Sequence, residues 1–213
     1  TFMSDNSTGA SGPGRPKDLA KRQAILEAAK NLFVRNGYAN TSMDAVATEA
    51  GVSKLTVYNH FTDKETLFSA AVVARCEEQI PELFFNLNSG QSVETVLLSI
   101  GRGFNTLANS AESIELHRLM VTLGSQDPKL SKIFFEAGPQ RLLMEMERVL
   151  VQIQACGALH FPSAKTAAEH FFSLLKGACN FRLMIGLCDE LDPAVEEQHV
   201  QDVVGLFMRA YQA

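Results

Sequence analysis

Apolar residues recur at intervals of three and four along almost the whole chain, and this spacing most constrains its fold. The first run contains Leu19, Ile25, Leu26, Ala29 and Leu32. Such a period places apolar side chains on one face of an α-helix, whereas a half-buried strand alternates residue by residue. The sequence contains no alternating β-branched stretch and no Asn-Gly hairpin signal. It therefore predicts an all-α protein with roughly nine or ten helices.

Capping residues and helix stops divide these runs into separate helices. Gly37 is a natural stop for the first helix, and Thr41, with Asp44 three residues later, begins a capping-box pattern for the second. Ser53 is the predicted cap of the third helix and Thr62 that of the fourth. Later helices are predicted over residues 93–109, 113–123, from 128 to an interruption at 138–139, from there to about 157, 164–187 and 193–211.

Composition excludes several classes of protein. The chain has 213 residues, of which 46% are hydrophobic and 20% charged, so it can form a sizeable core and is not globally disordered. No segment reaches 18 uncharged apolar residues, which predicts no membrane span. The polar N-terminus lacks the apolar region of a secretory signal. Four cysteines without a C-x-x-C pair indicate a reducing, cytoplasmic compartment.

The net charge of −5 is unevenly distributed. Residues 1–64 contain eight Lys and Arg against six Asp and Glu, whereas residues 65–213 contain eleven against eighteen. Arg15, Lys17, Lys21 and Arg22 form a basic cluster near the start. A basic N-terminal region on an acidic body is compatible with binding to a polyanion. From charge alone, a solvated charged face is the commoner explanation.

The second and third helices are separated by only Gly51 and Val52, the short turn typical of a helix-turn-helix. When Val57 is directed to the core, Phe61 and Ser53 fall within about 40° of it at about 100° per residue. The opposite face then lacks acids, which suits a surface that approaches phosphates. That face and its edges contain Lys54, Leu55, Thr56, Tyr58, Asn59 and His60.

Lys64 is in the first turn of the fourth helix, where the helix dipole disfavours a cation. A phosphate bound at that helix N-terminus would compensate for this placement. The alternative is a long side chain that extends into water.

Residues 37–68 closely resemble the DNA-binding domain of TetR-family transcriptional repressors. The resemblance is carried by Ala-Gly-Val-Ser from Ala50, Thr-Val-Tyr-Asn-His-Phe from Thr56 and Lys-Glu-x-Leu-Phe from Lys64. It implies that the start of the second helix and Lys64 meet DNA phosphates, that the third helix enters the major groove and that a basic arm enters the minor groove. The residues assigned to DNA in this way are Arg15, Lys17, Thr41, Ser42, Ser53, Lys54, Leu55, Thr56, Tyr58, Asn59, His60 and Lys64.

Residues 116–143 resemble the C-terminal domain of the AefR-like subgroup, with a departure from its pattern at Leu123-Gly124. The predicted organisation is therefore a disordered tail over 1–16, a helix-turn-helix domain over 17–64 and an effector-binding and dimerisation domain over 65–213.

The resemblance also implies a pocket for a small effector in the C-terminal domain. Its predicted lining is Phe104, His117, Met120, Phe134 and Met144. Aromatic and Met side chains more often fill a core than line a pocket, so the core alternative stays open. A hydrophobic or aromatic effector is expected instead of a sugar phosphate or nucleotide, because the body is acidic and lacks a phosphate-cradling loop.

The segment 164–187 is apolar nearly all round, as expected of a helix covered on both sides. In the TetR family, the last two helices of each subunit form a dimeric four-helix bundle. The resemblance therefore predicts a homodimer whose interface contains Phe171, Phe172, Leu175, Val203 and Phe207. The alternative is a central helix in a monomer.

The predicted function is a ligand-responsive repressor that binds a palindromic double-stranded DNA operator as a dimer. No catalytic, metal or cofactor site is predicted: G-x-S-x-G is absent, and Glu169-His170 lacks a second His at metal spacing. A DNA-binding architectural protein or regulator without an effector is the first alternative. An enzyme on a helical scaffold is the second, and it would need titratable groups clustered in a cleft.

Overall fold

The computed structural model describes residues 15–85 and 90–212, and within them the fold is all-α, as predicted. The β pairing in these residues is one isolated bridge, between Leu159 and Gln212. The described helices are α1 Arg15–Asn40, α2 Met43–Glu49, α3 Lys54–His60, α4 Lys64–Phe85, α5 Val93–Asn109, α6 Ala111–Gly124, α7 Pro128–Ala137, α8 Pro139–Ala155, α9 Ala164–Met184 and α10 Pro193–Ala210.

Four helices begin at the caps that the sequence predicts. The Ser53 hydroxyl accepts a hydrogen bond from the Thr56 amide at the start of α3. Side chains at three other helix N-termini act in the same way, because each helix leaves its first amides without an internal acceptor. These caps are Asp127 for α7, Ser163 for α9 and Asp192 for α10.

Two predicted caps are wrong by one residue. The α2 cap is Ser42 instead of Thr41, and its hydroxyl accepts from the Ala45 amide at 3.1 Å. At α4, the Asp63 carboxylate instead of the Thr62 hydroxyl accepts from the Thr66 amide at 2.7 Å. In both cases the neighbouring side chain makes an equally good local cap, so the sequence pattern cannot separate the two.

The prediction that Gly37 ends the first helix is confirmed by its backbone. Gly37 has φ 77° and ψ 165° and breaks the helical conformation inside α1, in the left-handed region that glycine tolerates. The start of α1 differs from the prediction, since Arg15 already belongs to the helix. The remainder of the predicted disordered tail, residues 1–14, lies outside the described residues.

The chain divides into two compact units, Thr1–Leu67 and Phe68–Ala213. The division falls within α4, a few residues after the boundary predicted at residue 64. In the first unit, α1, α2 and α3 share a small core. Its buried side chains include Ile25, Leu32, Phe33, Val46 and Val57.

The core of the second unit lies among α5, α8, α9 and α10. Each of these helices contributes large side chains that are almost completely buried, and fully burying one such side chain stabilises a fold by about 1.5–3 kcal/mol. The largest of them are Leu97, Ile100, Met146, Leu150, Phe171, Leu175 and Phe207.

A break in α9 distinguishes it from the continuous helix predicted over 164–187. Gly177 has φ 46° and ψ −158°, and a Cβ at this position would lie 3.1 Å from Cε1 of His199 on α10. His199 Nε2 donates a hydrogen bond of 2.9 Å to the Leu175 carbonyl oxygen. This bond satisfies a carbonyl next to the break and fixes α10 against it.

The residues predicted for the dimer interface lie inside the chain's own core, which corrects that prediction. Phe171, Phe172, Leu175, Val203 and Phe207 are all buried within the single chain. Side chains already covered by α5, α8 and α10 cannot form a contact surface for a second copy. The segment 164–187 was predicted to be covered on both sides. Within the single chain only its inward side is covered, and its outward side is exposed.

Candidate nucleic-acid interface and effector cavity

Two buried side chains fix the orientation of α3. Val57 is fully buried, and Phe61, which follows the helix, is nearly so. On the other side, Leu55 is 70% exposed, Tyr58 is 43% exposed and Asn59 is exposed. The predicted helical wheel is confirmed for these positions, so α3 presents an apolar tip, a phenol and an amide outward.

Hydroxyl groups at the start of α3 are already hydrogen-bonded to each other. Ser53 Oγ and Thr56 Oγ1 lie 2.7 Å apart. The wheel placed Ser53 toward the core, whereas the structure exposes it at the cap. Only one of the two O–H groups donates in this pair, so the other can still donate a hydrogen bond to a phosphate or a base edge.

Lys54 is paired with an acid from the neighbouring helix. Its Nζ lies 2.8 Å from Oδ1 and 3.0 Å from Oδ2 of Asp44 on α2. The hydrogen bond to Asp44 raises the pKa of Lys54. The face of α3 lacks acids, as predicted, but α2 brings a carboxylate to its edge. Because both groups are exposed, the pair is weak and a phosphate can compete for Lys54.

Two residues assigned to DNA are directed into the protein. Thr41 is buried, and its hydroxyl makes hydrogen bonds of 3.1 Å to the Leu32 carbonyl and 2.8 Å to the Gly37 carbonyl. His60 has a side chain only 11% exposed, with Nε2 3.2 Å from Oδ1 of Asp18. These side chains tie α2 and α3 to α1, and the phosphate contact predicted for Thr41 is corrected on this ground.

Lys64 has a partner inside the unit that the sequence did not reveal. Its Nζ donates to the carbonyl oxygens of Tyr38 at 2.9 Å and Ala39 at 3.4 Å. It also lies 4.4 Å from the centre of the Tyr38 ring. The end of α1 thus supplies negative carbonyl dipoles for the cation that α4 disfavours. The compensation predicted from a phosphate is already provided within the protein.

The remaining predicted DNA contacts are placed only in part. Ser42 is exposed at the start of α2, beside the amides of that helix. The backbone of Arg15 and Lys17 belongs to the first turn of α1. Their side chains lie outside the described residues, so the minor-groove arm stays a prediction.

A cavity of about 330 Å³ lies within the second unit. It brings together three of the five predicted lining residues, Phe104, His117 and Phe134. Met120 is buried away from the lining, and Met144 is 56% exposed, so the structure does not place these two at the cavity. The remaining wall is mostly apolar and includes Leu107, Leu116, Phe135, Leu142, Leu143 and Phe172.

His117 enters this wall in a fixed tautomer. Its Nδ1 lies 2.6 Å from the Ser113 carbonyl oxygen, which can only accept, so Nδ1 holds the hydrogen. The ring packs edge-on against Phe134 with centroids 5.4 Å apart. Burial, together with the positive charge of Lys176, lowers the pKa of His117, although the Ser113 hydrogen bond opposes them. The imidazole is therefore mainly neutral at neutral pH.

Polar residues of the cavity were missed at the sequence level. Arg75 and Cys76 come from α4, and Glu169 and Lys176 come from α9. Burial raises the pKa of the Cys76 thiol to about 11 and lowers that of Lys176. Lys176 carried one available signal, because it is the one charged residue in the stretch 171–181.

Exposed apolar side chains along α9 and at its C-cap, Ile185, form a second feature of this unit. Leu174, Ala178, Phe181 and Ile185 are exposed and follow one another at intervals of four, three and four residues. We call these four residues the α9 stripe; Phe181 is 62% exposed. Leu206 on α10 is also exposed, at 47%. Gly177 breaks the helix between Leu174 and the other three residues, but large apolar groups exposed in this number are typical of an interaction surface.

Two family models match the sequence. The model described as "AefR-like transcriptional repressor, C-terminal domain" matches residues 95–213, more than half of the chain. The model described as "Bacterial regulatory proteins, tetR family" matches residues 25–71. Both resemblances stated from the sequence are thereby confirmed.

Similarity to solved structures covers nearly the whole chain. A TetR-family transcriptional regulator from Mesorhizobium loti is similar with a TM-score of 0.85 and 28% identity, covering 92% of this chain and 99% of that one. The flavonoid-responsive regulator FrrA has a TM-score of 0.74 and 29% identity, with 90% and 97% covered.

Curated relatives match a shorter segment. The regulator UidR of Escherichia coli strain K12 is 35% identical over 71 residues, which is 30% of this chain and 36% of UidR. The regulator YdeS of Bacillus subtilis strain 168 is 29% identical over 84 residues, 39% of this chain and 40% of YdeS. The chain thus spans less than half the length of these relatives, which are transcriptional regulators and not enzymes.

Two features are absent from the part of the chain that the structure describes. Across 15–85 and 90–212, no helix is both long enough and apolar enough to span a membrane. The same residues contain no group of three His, Cys, Asp or Glu side chains arranged to hold a metal ion.

Proposed function

The chain belongs to the TetR family of bacterial transcriptional regulators, and on that premise we propose that it binds a palindromic operator as a homodimer. A small hydrophobic effector then releases the dimer from DNA and relieves repression. The observation that carries this proposal is the outward face of α3, where Leu55, Tyr58 and Asn59 are exposed on a helix whose opposite side is anchored by Val57. Operator binding places the site of action in the cytoplasm.

The contact with DNA is assigned to the exposed end of the first unit. Asn59 suits a base edge, because its amide can donate and accept in the major groove. Tyr58 and Lys54 suit phosphates, and the exposed Ser42 hydroxyl at the start of α2 is placed for the same role. Two copies of α3 would occupy successive major grooves about 34 Å apart, which requires a dimer.

The dimer interface is assigned to the α9 stripe together with exposed residues of α10. This assignment keeps the predicted helices but replaces the predicted side chains, since only uncovered residues can meet a second copy. A symmetric contact would bring the stripe against its equivalent in the partner. Phe181 and Ile185 are exposed in the single chain, so burying them in that contact would remove apolar area from water and stabilise the dimer.

The effector is assigned to the cavity in the second unit. A volume of about 330 Å³ lies within the range of small-molecule sites, and its wall is mostly aromatic and aliphatic. A relative with 29% identity is described as flavonoid-responsive, which supports an aromatic effector here. α4 includes Lys64 in the first unit and contributes Arg75 and Cys76 to the cavity, so a ligand that displaces α4 can affect both units.

The DNA-binding part is tested by selecting binding sites from a random DNA library with the purified full chain. We expect the selected sites to be palindromic. In fluorescence anisotropy, Asn59→Ala should lose discrimination between bases at one position per half-site, a loss of about 1–3 kcal/mol in binding free energy. Asn31→Ala, which removes an exposed amide from α1, is the matched control. A selection that yields no preferred sequence would overturn the proposal.

The effector part is tested by calorimetry with and without operator. An effector must bind the DNA-free conformation more tightly, and linkage then requires DNA to weaken effector binding by the same factor. A coupling of about 1–3 kcal/mol is ordinary for such systems. Equal affinities in the two titrations would favour a DNA-binding regulator without an effector.

A further inference from the structure

Lys176 is the starting point, because α9 directs it into the effector cavity. Glu169, Phe172, Ser173 and Lys176 all line this cavity. Their spacing of three, four and seven residues places them on one face of the helix. The helical turn that contains Lys176 ends at the break at Gly177, so the lysine stands at the last position of this face.

No hydrogen bond or ion pair reaches Lys176 from the residues that the structure describes. Its nearest acid along the same face, Glu169, is seven residues away, about 10 Å at 1.5 Å per residue. Burial lowers the pKa of Lys176, which is the expected response of an ammonium group without a compensating anion. A cation in this position is stabilised if a ligand supplies the negative charge.

The other charged or titratable groups at the cavity wall are engaged differently. Arg75 forms an ion pair with Glu112. His117 donates Nδ1–H to the Ser113 carbonyl, and burial keeps it mainly neutral. Burial keeps the Cys76 thiol protonated, and Glu169 is exposed to solvent. Lys176 is therefore the wall residue best suited to bind a negative group of a ligand.

We propose that the effector is an apolar acid, with an aromatic or aliphatic body in the cavity and one anionic group bound to Lys176. This inference rests on the proposed function and narrows it from hydrophobic compounds in general to amphipathic monoanions. The mostly apolar wall accommodates the apolar part of the ligand. Because Lys176 is a single cation without a partner among the described residues, we expect the ligand to carry one acidic group instead of several.

The experiment compares two fluorescent probes with the same aromatic frame. 1-Anilinonaphthalene-8-sulfonate carries an anionic sulfonate, and N-phenyl-1-naphthylamine lacks it. We expect Lys176→Met to weaken binding of the sulfonate about tenfold or more, the effect of one hydrogen bond to a charged group, and to leave the neutral probe unchanged. Lys176→Arg should retain sulfonate binding, since it preserves the charge.

Lys165→Met is the matched control, because Lys165 is an exposed lysine on the same helix and outside the cavity wall. Circular dichroism establishes that each variant is folded. Displacement of the sulfonate probe by 2-naphthoate or by decanoate then distinguishes an aromatic from an aliphatic acid, with the corresponding primary amides as neutral partners. Displacement by the acids alone, dependent on Lys176, supports the proposal.

Operator binding of the same variants separates this inference from the proposed function. If the wild-type chain binds its operator but Lys176→Met binds both probes as the wild type does, the acid is not recognised by Lys176 and the inference is overturned. If the acids bind through Lys176 but do not change operator affinity, the cavity binds anions as inferred while the effector role in the proposed function fails.

Discussion

The ammonium group of Lys64 lies 2.9 Å from the carbonyl oxygen of Tyr38 and 4.4 Å from the centre of its ring. This single contact joins the start of α4 to the end of α1. It places a cation where the last carbonyls of α1 have no helical partner, which satisfies the end of α1 and offsets the unfavourable position of that cation at the start of α4. A residue that the family resemblance assigns to a phosphate therefore has a structural role in the DNA-free protein.

Replacing Lys64 with Met should lower the free energy of unfolding. Loss of a hydrogen bond from a charged group, partly replaced by water, is expected to cost about 1 kcal/mol. Urea denaturation measures this change, with Lys54→Met as the control because its pair with Asp44 is exposed on both sides. A Lys64→Met protein of unchanged stability that shows a lower salt dependence of DNA binding would restore the phosphate role instead.

Replacing Asp44 with Asn should strengthen binding to DNA. The change removes a negative charge from the edge of the proposed interface and releases Lys54 for a phosphate. Operator affinity should rise several-fold at low salt, and fluorescence anisotropy at several salt concentrations measures it. The control is Glu49→Gln. Glu49 is on α2, as Asp44 is, and is the ion-pair partner of Arg35 on α1. Equal affinities of wild type and Asp44→Asn would place Asp44 outside the interface.

Replacing Phe181 with Glu should produce a folded monomer. Phe181 is 62% exposed in the α9 stripe, so a charge there disturbs a contact between copies more than it disturbs the fold. Sedimentation velocity and operator binding should both show the loss of the dimer. Val151→Glu, at an exposed apolar position on α8, should stay dimeric.

Phe207 provides the contrasting substitution. It was predicted as an interface residue, but it is buried at 1% exposure, so Phe207→Glu should unfold the second unit instead of separating two folded subunits. A folded, monomeric Phe207→Glu protein would return the interface to the inward side of α10.

The pKa of His117 should respond to the charge of Lys176. Burial lowers its pKa below the ordinary value of 6.5, and the ammonium charge contributes to the shift. Lys176→Met should therefore raise the pKa of His117 without restoring the ordinary value, because burial remains. NMR titration of the imidazole Hε1 resonance measures this, with Lys165→Met as the control. An unchanged pKa would show that the ammonium group does not act on the ring.

The same shift predicts how stability depends on pH. The unfolded chain takes up a proton at His117 near pH 6.5, whereas the folded chain resists it to a lower pH. The unfolded state therefore binds more protons in this interval, and the free energy of unfolding should fall as the pH is lowered through and below 6.5. His117→Gln should reduce this dependence in urea denaturation series.

The sequence by itself determined the features of this protein that depend on near neighbours in the chain. The bounds of α5, Val93–Asn109, agree with the prediction, and the caps Ser53, Asp127, Ser163 and Asp192 were found in the same way. Each depends on a side chain and an amide two or three residues apart, so the pattern alone contains the information. The register of α3 also followed, because Val57 and Phe61 are one helical turn apart.

Only the tertiary structure decided which side of a helix another element covers. Thr41 matches a DNA-contacting position of the family, but it is buried and hydrogen-bonded to the Leu32 carbonyl of α1. Lys64 binds the carbonyl of Tyr38, 26 residues away in the chain. Phe171 and Phe181 are both apolar residues of α9, yet the first is in the core and the second is exposed. Helical spacing states which side chains share a face, whereas burial depends on helices distant in sequence that pack against that face.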